Sequence, residues 1–103
     1  MKLVISTCTE KEAEGLATKL LEERLVACVN IVNGVISKYW WEGNLETDKE
    51  SMLFMKTEDS LVNKLIERIK EIHSYNVPEI VAFDIKGGNL DYLNWIKAVL
   101  GQK

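Results

Sequence analysis

The chain has 103 residues, 13 Lys and Arg against 16 Asp and Glu, and a formal net charge of −3. A single domain of that length has enough interior for one apolar core without metal or disulfide staples. There is no basic stripe for a nucleic acid, no apolar run near the roughly 20 residues of a membrane span, and a start that turns polar by Ser6, too early for a signal-peptide core, so a cytoplasmic protein with no nucleic-acid or membrane partner is expected.

Leu3-Val4-Ile5 is a short β-branched run that suits a buried strand. Thr9 with Glu12 has capping-box spacing and predicts a helix from about residue 10. Ala13, Leu16, Ala17, Leu20, Leu21 and Leu25 then form one apolar helix face, with Glu14, Lys19, Glu22 and Glu23 opposite. From Val26 the period changes to two. Asn33-Gly34 suits either a hairpin turn or a bulge inside one long strand. The bulge is preferred, because Glu42-Gly43-Asn44 is a better turn, after which Leu45 to Thr57 return antiparallel. The first half of that return, Glu46 to Glu50, suits solvent; the second, Met52 to Met55, is apolar on both faces.

Thr57 or Asp59 is expected to cap a second helix with Leu61, Val62, Leu65, Ile66, Ile69 and Ile72 on its face, stopped at or before Pro78. Ile80 to Ile85 is a fourth strand, Gly87-Gly88 breaks it, and Asn89 caps a last helix bearing Leu93, Ile96 and Leu100. The order is βαββαβα, an α+β pattern that predicts a ferredoxin-like sandwich with an extra C-terminal helix and a long hairpin of the second and third strands. That arrangement puts Cys8 and Cys28 about 10 Å apart, beyond disulfide reach.

In such a sandwich the helices cover one sheet face, and the other should alternate to polar residues. Here Met52 to Met55, Val35-Ile36, Tyr39-Trp40-Trp41 and Ile80 to Ile85 offer apolar side chains to both sides. Either a larger core lies under the third helix or the chain associates with itself, and self-association also completes the unpaired edges.

No G-x-S-x-G, Walker loop, H-E-x-x-H or dinucleotide fingerprint occurs, so no enzyme is expected. Polar groups near turns remain: Tyr39, Trp40, Trp41, Glu42, Lys56, His73, Tyr75, Pro78 and Glu79 suit a ligand pocket. Each also has a plain structural use, such as packing for the Trp pair or complementing a helix dipole for His73.

These residues carry a resemblance to the CutA divalent-cation tolerance family. The matching segments are Ala27-Cys28-Val29-Asn30, Tyr39-Trp40-Trp41-Glu42-Gly43, Lys56-Thr57, His73 to Ile80 and Tyr92-Leu93-Asn94-Trp95, in the family's order and spacing. The resemblance implies a ferredoxin-like fold, a homotrimer similar to the PII signalling proteins, and a role in tolerance of copper and other divalent cations. It also implies a cleft between subunits lined by Trp41, Lys56, His73, Tyr75 and Glu79. Some members carry a first-strand Cys and a tandem His that have been proposed as copper ligands. Here the first position is Ile5, with Cys8 nearby, and the tandem reads Ile72-His73, followed by Ser74. His73 and, less directly, Cys8 are therefore the metal candidates. Two functions follow: a metal-binding trimer, favoured by His73 with Glu79 and Cys8, or a PII-like sensor or adaptor taking a small anion, favoured by Lys56 with His73. No cofactor is obligatory in either.

Overall fold

The structure is a computed structural model that describes residues 1–101. Its elements are β1 (Lys2–Cys8), α1 (Ala13–Glu22), β2 (Cys28–Trp41), β3 (Asn44–Thr57), a 3-10 turn (Asp59–Leu61), α2 (Val62–Ile72), β4 (Ile80–Asp84) and α3 (Leu90–Leu100). The four strands make one antiparallel sheet in the order β2-β3-β1-β4. The fold is α+β.

Alternation on the central strands sorts the two faces. Val4 pairs with Met55, and Ser6 with Leu53, putting these side chains on one side. There they join Ala13, Leu16 and Leu20 of α1 and Leu65 and Ile69 of α2 in one buried cluster. The opposite face carries Leu3, Ile5, Met52, Phe54, Val81 and Phe83. Tyr92 of α3 lies near Cys28, which shares that second face with Lys56, so α3 covers one corner of it. The corner is small: Val32, Val81 and Phe83 remain 47%, 42% and 50% exposed.

β1 pairs only with residues 51–57 of β3, so 44–50 run on beside 35–41 as a two-stranded ribbon. Seven residues add about 24 Å, and the molecule is accordingly 44 Å long but only 25 and 22 Å across. The bulge is present, with Asn33 and Gly34 opposite the single Ser51 and Gly34 at φ 75°. The chain reverses at Glu42-Gly43, both at positive φ (49° and 82°), a two-residue turn whose twist matches the strands.

Several expectations need correction. α1 begins at Ala13, because Glu10 to Glu12 form a separate turn held by the Thr9–Glu12 box. It ends at Glu22, with Arg24 left-handed (φ 59°) and the bonds Leu25 N–H to Leu20 O and Arg24 N–H to Leu21 O closing the last turn. Leu21 is consequently more than a third exposed, off the buried face. Neither Thr57 nor Asp59 caps α2: Thr57 Oγ1 donates to Leu25 O, and Asp59 pairs with the amino terminus. β4 stops at Asp84, although Ile85 N–H still bonds Met1 O. Asn89 caps α3 as expected, accepting from Asp91 N–H at 3.0 Å. Cys8 lies opposite Ser51 and Cys28 opposite Lys56, five residues apart along β3, so about 17 Å of strand separates them in addition to the two strand spacings. Both thiols are free.

Candidate functional site

Residues 73–79, between α2 and β4, fold back across the end of β1 where the ribbon begins. Their anchors are polar. Ser6 Oγ donates to Glu79 O at 2.7 Å, and Glu12 accepts from Ser74 Oγ and N–H at 2.6 and 3.2 Å. The same carboxylate takes Thr9 Oγ1 and N–H at 2.9 and 3.1 Å, so the α1 capping box doubles as a latch on this segment. Burial pushes the Glu12 carboxyl up, but the Ser74 and Thr9 hydrogen bonds outweigh it, leaving Glu12 below its ordinary range.

Between this segment and the ribbon lies a hollow of about 900 Å³. Trp41, Tyr75 and Glu79 of the expected set line it, with Tyr39, Asp48 and Glu50. Lys56 does not: it lies opposite Leu3 and Cys28, six residues from Glu50, about 20 Å along β3, and is held by Asn30. Within one chain, Lys56 and the hollow are therefore separate.

His73 sits beneath the hollow, 9% exposed. Nε2 is 2.8 Å from Thr7 O, while Nδ1 accepts from Tyr75 N–H at 3.0 Å. A carbonyl can only accept, so Nε2 carries the hydrogen and the ring is the neutral tautomer. Neither nitrogen has a lone pair to spare, and a metal could reach this imidazole only by displacing one of these bonds. The ring also packs on Tyr75, centroids 4.6 Å apart. Cys8 is fully buried; burial, then the charges of Glu12 and Glu50, push its thiol up to about 11. It is a core sulfur that burial keeps in the thiol form and away from solvent. Among the described residues, no group of three or more His, Cys, Asp or Glu stands close enough to hold a metal ion.

Glu50, expected in solvent, is 5% exposed. Tyr75 Oη donates to its Oε2 at 2.6 Å, and burial, with this bond, pushes the Tyr75 hydroxyl far up. Tyr39 donates to Asp48 further along the ribbon; that bond, then desolvation, raises its hydroxyl to about 12. The charges acting on Tyr39, Tyr75 and Cys8 are all carboxylates, although Lys38 and Lys49 also border the hollow. The sequence signal for Glu50 was its place two residues before Met52 on the same face; its partner, 25 residues away, left no local trace.

The model for the CutA1 divalent ion tolerance protein matches residues 2–99. A chloroplastic CutA 1 protein from Oryza sativa is 51% identical over 96 residues, covering 92% of this chain but 54% of that protein. The chain thus spans about half the length of that relative. A divalent-cation tolerance protein CutA from Thermus thermophilus is 46% identical over 99 residues and covers 96% of both chains. The crystal structure of CutA1 from Oryza sativa superposes with a TM-score of 0.92 at 46% identity, covering 95% of this chain and 91% of that one.

Proposed function

The chain belongs to the CutA1 divalent ion tolerance family, and from that premise we propose that it acts as a ferredoxin-like homotrimer in the cytoplasm, binding divalent metal ions weakly between subunits and catalysing no reaction. One observation carries the assembly: the sheet face opposite α1 and α2 presents Leu3, Ile5, Met52, Phe54, Val81 and Phe83, with α3 over only one corner. Neighbours placed on that face would remove this area from water and cover the ribbon.

The metal part follows from the donor set. With His73 committed and Cys8 protonated, the accessible donors are the oxygens of Asp48, Glu50 and Glu79. Carboxylates suit divalent ions held loosely and do not suit soft Cu(I). Since one chain gathers no three-ligand group among its described residues, coordination requires side chains from a second subunit. Lys56, about 20 Å away within one chain, belongs to the same cleft only if a neighbour supplies it. The anion-sensor reading rests on Lys56 with His73, and so on a neighbour bringing Lys56 to this cleft.

Light scattering with a copper and zinc titration tests this. The protein should have the mass of three chains and bind metal in the trimer. Met52→Glu and Phe54→Glu each put an unpaired carboxylate into the contact, which costs several kcal/mol; both should dissociate the trimer and lose the metal. A one-chain mass that does not rise with concentration overturns the assembly, and metal retained by dissociated variants overturns its inter-subunit placement.

A further inference from the structure

We propose that the hollow between residues 73–79 and the β2–β3 ribbon binds a small organic ammonium ion, with the Glu50 carboxylate as its charge partner and the rings of Tyr39, Trp41 and Tyr75 as its walls. This goes beyond metal tolerance and rests on the hollow of one chain, not on the metal reading. The first observation is Glu50 itself. It is 5% exposed, Tyr75 Oη occupies Oε2, and Oε1 has no partner among the described residues. Because Glu50 lines the hollow, its small exposed remainder opens there. Its carboxylate thus offers an accepting oxygen to a donor cation entering the hollow, and a hydrogen bond between two charged groups is stronger than one between neutral groups.

The second observation is the company it keeps. Ser37, Tyr39 and Trp41 share their ribbon face with Glu50 and Asp48 by register. Trp41 is 47% exposed, and Tyr75 reaches Glu50 from the other wall. Aromatic faces attract cations through their quadrupole, and most strongly where water is partly excluded. Bare metal ions gain little from such walls, whereas an alkylammonium gains from both the rings and the carboxylate. The lysines beside the hollow do not fill this role: Lys38 and Lys49 alternate onto the other face of the ribbon, where Lys38 Nζ is bound to Thr47. A volume of about 900 Å³ accommodates a short diamine with its hydration. The carboxylates that push up Tyr39, Tyr75 and Cys8 supply the matching field.

The test uses 1,5-diaminopentane as probe and 1,5-pentanediol, its uncharged analogue, as control, with calorimetry and the Trp41 indole signal in NMR as readouts. The diamine should bind and shift Trp41, and the diol should do neither. Glu50→Gln should weaken the diamine by about tenfold or more, the scale of a lost hydrogen bond to a charged group. Since Glu50 is nearly buried, Trp41→Leu provides a second variant at an exposed position and should weaken binding by several-fold. Equal binding of diol and diamine, no binding of either, or unchanged affinity in both variants overturns the proposal. Copper or zinc binding that persists while the diamine fails overturns this inference and leaves the metal reading standing.

Discussion

Glu12 accepts four hydrogen bonds, two from Thr9 on one side and two from Ser74, 62 residues away, on the other. Its carboxyl is held below the ordinary range, so the folded state binds the proton less well than the unfolded chain does. Stability from this group is therefore present above its unfolded value and is lost as pH falls through the folded one. Glu12→Gln should lower stability at pH 7 by about 1 kcal/mol, the size of a lost cap. The gap between wild type and variant should close on acidification through the carboxylate range, as denaturant midpoints at several pH values will measure. A gap that is constant down to pH 3 would mean that the latch depends on shape rather than charge. Half of this feature was legible in the sequence: Thr9-x-x-Glu12 is a local spacing, and the box formed. The Ser74 half was not, because its contact depends on where α2 delivers the chain. The same reason hid the burial of Glu50 and the double commitment of His73, which looked like a free imidazole until its neighbours from β1 and the backbone of Tyr75 were placed.

At the scale of elements, periodicity located every helix and strand, and the misses fell at their ends. The bulge and the Glu42-Gly43 turn were readable because glycine marks positive φ at Gly34 and Gly43. The end of α1 was not, because the left-handed residue there is Arg24, whose type carries no such mark. Its guanidinium donates to Val99 O at 3.2 Å, which helps hold that geometry. Glu42 makes no comparable hydrogen bond among the described residues: at φ 49° it occupies the first position of a turn that favours Asn or Gly. Glu42→Asn should stabilise the ribbon by about 0.5 kcal/mol, detectable as a rise in denaturant midpoint. An unchanged or lower midpoint would show that the Glu42 side chain makes a compensating contact in the assembled protein.

For the molecule as a whole, the sheet has a covered half and a projecting half. Residues 51–57 of β3 are flanked on both sides by strands and covered by α1 and α2, whereas the ribbon of 35–41 and 44–50 has only its own ladder. Apolar side chains along it, Trp40, Leu45 and Ile36, are 71%, 69% and 61% exposed. An isolated two-stranded ribbon is marginal in water, so the ribbon and the sheet proper need not open together. Local opening of the first should depend on whether a neighbouring chain lies against it, and opening of the second on the core alone. Amide hydrogen exchange at Ile36, Trp40 and Leu45 should slow as protein concentration rises through the assembly range, while exchange at Leu53 and Met55 stays comparatively constant. Equal concentration dependence at both sets would make the molecule one cooperative unit. With two units, the ribbon becomes a segment whose order reports how many copies of the chain are present, so that dilution loosens the walls of the hollow before it touches the core.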